Sequence, residues 1–323
     1  MTVIVAPGIT SFRLSSPVQL LLFQVVATAL VNASYALIVG ALAASLWLGK
    51  TDDINHAGVH ANLAFVIGTG FVSSIIATLL SLWQASAIMA DVPLLQSGPS
   101  LWAMFAGTSY GQIGLVSVGM LAMGAAVHFL LRQRLQLGAY YAAILCILGL
   151  FALCRVATGH ASENGLVSVA AAVELVHLLS IALWLGSVLV AAWVVLPKFA
   201  NQKTAAPMPS YLAALSGWAT VALAGVLTTG LYNAFRVLNA PTELVSTEYG
   251  WVLTTKLCFV GIAIALGGWN RFVGFPQTLR GSQAPADEML RSITVVLRVE
   301  SIALLIVMLA ASVLTASAPP TAT

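Results

Sequence analysis

Charged side chains are scarce in this chain. Of its 323 residues, only 7% are charged, whereas 60% are hydrophobic and the mean hydropathy is +0.98. An ordinary soluble chain is about 25% charged, so this one has too little polar surface to fold as a globular protein in water. Its 13 basic residues form no run that could follow a phosphate backbone, which argues against nucleic-acid binding. The composition predicts an integral membrane protein in contact with a lipid bilayer.

Cysteines and several enzyme motifs are also rare or missing. The three cysteines, Cys146, Cys154 and Cys258, all lie in apolar runs and cannot form a disulfide framework. The sequence has no Walker loop, dinucleotide-binding fingerprint, nucleophile elbow or HExxH motif. We therefore expect neither an ATP-driven pump nor a hydrolase, and no enzymatic activity. The first apolar stretch also lacks the pattern of a cleaved signal peptide.

Long apolar runs predict membrane-spanning helices. About 20 helical residues cross roughly 30 Å of hydrocarbon, and continuous rather than alternating runs disfavour β-strands. We predict an all-α bundle of eight transmembrane helices at residues 18–48, 61–90, 110–131, 138–157, 166–196, 211–237, 250–272 and 292–316. The connector 91–109 contains Pro93, Gly98 and Pro99 before an apolar stretch, which predicts a short surface or re-entrant helix.

The eight predicted helices form two halves of four. The N-terminal membrane half covers residues 1–157, and the C-terminal half covers residues 158–323. Small residues allow helices to approach closely in lipid. We therefore expect close helix contacts at Gly68, Gly70, Gly119, Gly124, Gly225 and Gly230.

The basic residues predict an orientation. With eight spans, one set of alternate loops contains Lys50, Arg132, Arg134, Lys198, Lys203, Arg271, Arg280 and Arg291. The opposite side contains only Arg13. Because positive charge stays cytoplasmic, both termini should face the periplasm of a bacterial inner membrane. The loop with His160 then faces outward, whereas the loop with His56 and His60 faces the cytoplasm.

Few ionisable side chains lie within the predicted spans, and each is a candidate functional group because a charge in lipid is costly. They are Arg155, Glu174, His177, Lys256, Arg298 and Glu300, with His128 near an inner end. At 1.5 Å per residue from the predicted outer ends, Glu174 lies about 12 Å deep, His177 about 17 Å and Lys256 about 9 Å. With Arg155 at the same end, these groups can converge in the outer half of the bundle.

Glu174, His177 and Trp184 share one face of the fifth predicted helix. A carboxylate and an imidazole three residues apart can share a metal ion, as they do in metal sites of helix bundles. In a purely structural interpretation, Glu174 instead neutralises Arg155 or Lys256, and His177 bonds a neighbouring helix. Both interpretations are open at this stage.

Other side chains could also bind a soft metal. His160 lies in a short loop six residues after Cys154, and imidazole suits copper while thiolate and thioether suit Cu(I). Each such residue also has an ordinary interpretation as a solvated loop residue or an apolar filler. We take His160, His177 and Glu174 as the first candidates for metal ligands. The second group comprises Cys154, Met120, Met123, His56 and His60.

Several motifs in the second half follow one another in a recognisable order. They are TGH at 158–160, HLLSIALWLGS at 177–187, TTGLYNA at 228–234, TEYGWVLTTKL at 247–257, Asn270-Arg271, Arg298-Val-Glu300 and LTASAPP at 314–320. In these motifs, residues 158–320 resemble the CopD family, the copper resistance protein D membrane proteins. The resemblance does not extend to the first four spans.

The resemblance implies an eight-span inner-membrane protein of copper homeostasis. Such a protein would take copper from the periplasmic side and move it into or across the membrane. It also implies a periplasmic copper-binding partner, CopC, which in some members is fused ahead of the membrane part. The positions that match are His160, His177, Trp184, Asn233, Tyr249, Lys256 and Glu300. Apart from the two histidines, these positions and Arg155 would form a supporting polar cluster.

Two other functions are compatible with the sequence. Histidines near the membrane midplane can ligate haem b, which would make the chain a redox protein. His177 and His128 are the only deep histidines, however, and their predicted depths differ. The chain could also be a copper sensor or scaffold that docks CopC without transporting the ion.

Overall fold

The computed structural model describes residues 17–49, 54–162, 165–199, 208–276 and 286–317, and these ranges contain no β-strand. The α-helices are α1 (Pro17–Leu48), α2 (Ile54–Ala90), α3 (Gly98–Gly107), α4 (Ser109–Ala126), α5 (Leu137–Ala157), α6 (Val169–Val190), α7 (Leu196–Phe199), α8 (Met208–Val237), α9 (Glu243–Ser246), α10 (Glu248–Trp269) and α11 (Ala286–Ala316). Short 3₁₀ turns lie at Leu94–Gln96 and His160–Ser162. The prediction of an all-α fold is confirmed.

Within the described residues, eight helical segments are long and apolar enough to cross a bilayer. They are Gln19–Leu48, Gly58–Ala90, Ser109–Leu131, Leu137–Ala157, Val169–Phe199, Pro209–Val237, Glu248–Gly274 and Glu288–Ala316. Each overlaps one predicted span, so the chain is a polytopic membrane protein with eight candidate spans. The predicted connector helix is α3, whose Trp102 is exposed and whose Met104 is buried.

Hydroxyl side chains determine where three of these helices begin. Thr108 accepts a hydrogen bond from the Gly111 amide at the start of α4. Ser168 accepts one from the Ala171 amide at the start of α6, and Thr247 accepts one from the Gly250 amide at the start of α10. Such caps satisfy backbone N–H groups that have no partner within the helix. They explain why α6 begins at Val169 and α10 at Glu248, a few residues from the predicted starts.

Three of the spans end in a π-helical turn. These turns are Val127–Leu131 after α4, Ala191–Val195 after α6 and Asn270–Gly274 after α10. A π turn widens the helix by one residue and is often found at functional positions. Two polar side chains inside the bundle, His128 and Asn270, lie in these turns and are both buried.

α1, α6 and α11 form the centre of the bundle and pack against one another. α1 also packs against α2, and α6 also packs against α8. α4 and α5 lie on the outside of the first half, and α10 lies against α11 in the second. Large apolar side chains such as Phe65, Phe235 and Phe272 are exposed on the outer surface. That surface suits contact with lipid chains rather than with water.

The two halves of the chain meet where α1 crosses α6. Gly40 of α1 and Gly186 of α6 lie against each other's backbone. A Cβ atom added to Gly186 would overlap the carbonyl group of Ala36, and one added to Gly40 would overlap the Gly186 carbonyl group. Only glycine at both positions lets these helices approach so closely.

The other glycine predictions have mixed outcomes. An added Cβ would collide with a side chain of a neighbouring helix at Gly70, Gly124 and Gly225, and with Phe129 at Gly68. A Cβ added to Gly230 would lie 3.6 Å from the His177 ring, which is an ordinary van der Waals contact. The prediction is wrong for Gly119, which is exposed and has no atom within 4 Å of an added Cβ.

We expect Gly186→Ala to destabilise the protein in detergent. The added methyl group must push α1 away from α6, and overpacking of this kind costs about 1–3 kcal/mol. Thermal unfolding should therefore occur at a lower temperature than in the wild type. Gly119→Ala is the matched control and should unfold like the wild type. An unchanged melting temperature for Gly186→Ala would contradict the close crossing of α1 and α6.

Candidate metal site

One face of α6 carries the polar groups of the site. Glu174 lies about 8 Å and His177 about 12 Å beyond the first residue of α6, at 1.5 Å per residue. Lys256 lies about 12 Å along α10. Measured from the observed helix starts, His177 and Lys256 therefore lie at similar depths, whereas the predicted starts had placed them at different depths.

Polar side chains of α8 bind both of these α6 residues. The Asn233 amide Nδ2 donates a hydrogen bond to Glu174 Oε2 at 3.0 Å. His177 Nδ1 lies 2.7 Å from Thr229 Oγ1. Thr229 and Asn233 are four residues apart, so they share one face of α8. Each polar side chain of the α6 site thus has its own partner on α8.

The hydrogen bonds of Thr229 favour one tautomer of His177. Thr229 Oγ1 lies within hydrogen-bonding distance of the carbonyl oxygen of Gly225 and of His177 Nδ1. A hydroxyl group that donates to Gly225 accepts from His177, which favours a proton on Nδ1. Among the described residues no hydrogen bond to His177 Nε2 is found. With the proton on Nδ1, the lone pair of Nε2 can bind a metal ion while Thr229 holds Nδ1.

Two cationic side chains flank Glu174. Lys256 of α10 interacts electrostatically with Glu174 and with His177. Arg155 at the end of α5 also interacts with Glu174, and its guanidinium donates to Asn32 Oδ1 of α1 at 3.1 Å. The predicted convergence of these four groups agrees with the structure. The carboxylate therefore has compensating positive charge when no metal is present.

Two side chains in the described part of the site, Glu174 and His177, are of types that can bind a metal ion. No group of three or more His, Cys, Asp or Glu side chains that could hold a metal ion occurs in the ranges described. His160 begins the turn His160–Ser162, which contacts both α5 and α6. Its backbone therefore lies at the same end of the bundle as Glu174. Its side chain lies outside the described structure.

The second group of candidates is dispersed. Cys154 is a partly buried free cysteine on α5. Met120 packs against the core, whereas Met123 is exposed on the outer surface. His60 Nε2 lies 3.1 Å from the carbonyl oxygen of Gly49, at the end of the bundle opposite to Glu174. The side chain of His56 and the residues Asp52 and Asp53 lie outside the described residues.

His128 has a structural environment. It is 4% exposed, and its Nδ1 lies 2.8 Å from the Tyr140 hydroxyl group. Its Nε2 lies 2.9 Å from the carbonyl oxygen of Ala64. Both ring nitrogens are therefore occupied, and the ring would have to give up one partner to bind a metal or a haem iron.

The remaining predicted cluster residues lie apart from this site. Trp184 lies two turns further along α6 and donates from Nε1 to Glu300 Oε1 at 3.2 Å. Tyr249 is half-buried in the first turn of α10. The structure therefore divides the predicted polar cluster into an outer group around His177 and an inner group around Glu300.

Neutral polar residues complete the outer group, and reasoning from ionisable residues missed two of them. Thr229 and Asn32 carry no charge, so they do not stand out as costly groups in lipid. A usable signal was present in the motif TTGLYNA, where Thr229 and Asn233 recur four residues apart within an apolar helix. Asn32 has no such signal, because its partner Arg155 is 123 residues away.

Comparison with protein families gives two matches. A family model described as Copper resistance protein D matches residues 209–314. A second, described as Copper resistance protein D-like, N-terminal domain, matches residues 19–169. The first half, for which the sequence motifs suggested no family, is therefore included. No curated protein and no solved structure matched the chain.

We expect Thr229→Val to change the tautomer of His177. Valine cannot accept a hydrogen bond from the Nδ1–H group, so the imidazole should shift toward the tautomer protonated at Nε2. Nitrogen NMR of histidine-labelled protein would follow this, with His177→Ala to assign the signals. Thr228→Val is the matched control, because Thr228 is exposed and bonds only its own helix. An Nε2 proton on His177 in the wild type would contradict the assignment.

Proposed function

The chain belongs to the copper resistance protein D family, and from this premise we propose that it binds copper at the outer end of the bundle and moves the ion into or across the membrane. The family and the eight apolar helices together support a copper-related function in a membrane. The observation that carries the finer proposal is the position of His177 and the Glu174 carboxylate on one face of α6, with His177 held at Nδ1 by Thr229 and no hydrogen bond to Nε2 among the described residues.

In this proposal the ion binds between an imidazole nitrogen and a carboxylate oxygen. His177 Nε2 and Glu174 are the inner ligands, and His160 captures the ion at the mouth of the bundle. Imidazole suits copper, and the hydrogen bond from Nδ1 to Thr229 orients the ring. Copper takes over the role of Lys256 in compensating Glu174, so Lys256 must move away or release part of its interaction as the ion enters.

The proposed direction follows from the basic residues. Eight lysines and arginines lie in one set of alternate loops and one arginine lies on the other side, which supports periplasmic termini in a bacterial inner membrane. The mouth near His160 then opens to the periplasm. We propose CopC as the protein that delivers copper there, because family members with a fused CopC domain place it ahead of the membrane part.

The haem alternative is less well supported by the environment of the histidines. A haem with two histidine ligands would need His128 as well as His177, and both ring nitrogens of His128 already have protein partners. The scaffold alternative needs no intramembrane ligand at all. It therefore predicts that changes at Glu174 and His177 leave copper-dependent function intact.

We expect purified wild-type protein to contain about one copper ion and to show no Soret band. His177→Ala should lose most of the copper. Removing a group that only hydrogen-bonds a metal ligand lowers metal affinity about 10–100-fold, and removing the ligand itself matters at least as much. Metal analysis with an optical spectrum on each variant would show this. His60→Ala, at the opposite end of the bundle, is the matched control and should keep its copper.

Three results would overturn the proposal. A Soret band would favour a haem protein. Equal copper content in wild type and His177→Ala would place the ion elsewhere, and loss in His60→Ala alone would move the site to the other end of the bundle.

A further inference from the structure

A second polar cluster lies deeper on the same face of α6, and the proposed copper site does not use it. Trp184 Nε1 donates to Glu300 Oε1 at 3.2 Å. The Asn270 amide, in the π turn after α10, lies beside the same carboxyl group. Glu300 is 2% exposed and Asn270 is 1% exposed. An acidic side chain is thus enclosed near the middle of a membrane-spanning bundle.

The hydrogen-bonding capacity of this cluster is incomplete. Glu300 Oε2 and both amide atoms of Asn270, Oδ1 and Nδ2, are buried and have no hydrogen bond of good geometry. An ionised carboxylate with an unpaired oxygen is very costly in a low-dielectric interior. A cluster with these open positions is suited to bind something small.

No cation in the described part of the chain neutralises Glu300. Arg298, two residues earlier on α11, points to another surface, where its guanidinium carbon lies 4.8 Å from the centroid of the Trp193 ring. Arg271 of the π turn donates to α8. Tyr35 of α1 donates its hydroxyl group to the carbonyl oxygen of Leu148 on α5. The other charged or titratable residues on the elements packed against α11 lie elsewhere along those helices or belong to the outer site, namely Glu174, His177, Lys198, Glu248, Tyr249, Lys256 and Cys258.

A single proton completes the cluster. With a proton on Oε2, Glu300 can donate to Asn270 Oδ1 while Oε1 accepts from Trp184. Without the proton, Oε2 can accept from Asn270 Nδ2 after the amide rotates. Asn270 is therefore able to serve both states of the carboxyl group. A Cβ on Gly267 would lie only 3.1 Å from Oε1, so glycine there leaves the carboxyl group its space.

We propose that Glu300 is a proton-binding site. It holds one proton on Oε2 while the outer site is empty, and copper binding at His177 lowers its affinity for that proton, so that part of the molecules release it. In the release step the O–H bond of Oε2 breaks, the proton passes to water, and no electron moves. In those molecules one positive charge leaves as the ion enters. The release step rests on the proposed copper site, whereas proton binding by Glu300 does not.

The distance between the two groups permits this coupling. Trp184 lies seven residues beyond His177, so Glu300 is about 10 Å from the copper position along α6. At an effective dielectric constant of about 20, one positive charge at that distance lowers proton affinity about tenfold. By reciprocity, loss of the proton strengthens copper binding by the same factor.

Infrared spectroscopy of the metal-free protein tests the proton site directly. We expect the wild type at neutral pH to show the carbonyl stretch of a protonated carboxyl group, and we expect Glu300→Gln to lose it. Glu288→Gln, which changes an exposed carboxyl group on the same helix, should keep the band. Trp184→Phe should shift its frequency, because Oε1 loses its donor. An identical band in wild type and Glu300→Gln, or none in the wild type, would overturn the proposal.

Proton release on copper binding tests the coupling. Calorimetric titration in two buffers of different ionisation enthalpy counts the protons released. At a pH midway through the titration of Glu300, wild type and Glu288→Gln should release about half a proton more than Glu300→Gln, because a tenfold change in proton affinity empties about half of the sites. Equal release in all three would overturn the coupling. A wild type that binds no copper would overturn the proposed function, while the infrared result would still decide whether Glu300 holds a proton.

Discussion

A polar group inside a bilayer needs a partner within the protein, and α6 carries three such groups on one face. Glu174 bonds Asn233, His177 bonds Thr229, and Trp184 bonds Glu300. These bonds tie α6 to α8 and α11. They also hold each group in a defined orientation, which a metal site or proton site requires. The proposed function and the inner proton site both depend on this one helix face.

The N-terminal half supports this face from the other side. α1 lies directly against α6 because Gly40 and Gly186 leave no side chain between them. α5 contributes Arg155, which interacts with Glu174 and is held by Asn32 of α1. The first four spans therefore contribute charge and position to the site, although they contain neither of the two proposed ligands, Glu174 and His177.

Much of this architecture could be predicted from the sequence, and the failures have physical causes. The spans follow from apolar runs of sufficient length, and the convergence of Glu174, His177 and Lys256 follows from counting residues along each helix. The observed helix starts differ from the predicted ones because hydroxyl caps such as Ser168, and not hydropathy, determine where a helix begins. The Gly40–Gly186 crossing and the Trp184–Glu300 bond join distant parts of the chain, so no local pattern reveals them.

The most direct test of the proposed copper site is X-ray absorption spectroscopy of the copper-loaded protein in detergent. The proposed site predicts nitrogen and oxygen neighbours around copper, with the outer-shell scattering of an imidazole ring that decreases in His177→Ala. A coordination shell made only of sulfur, or an imidazole signal unchanged in His177→Ala, would contradict the proposed site on α6.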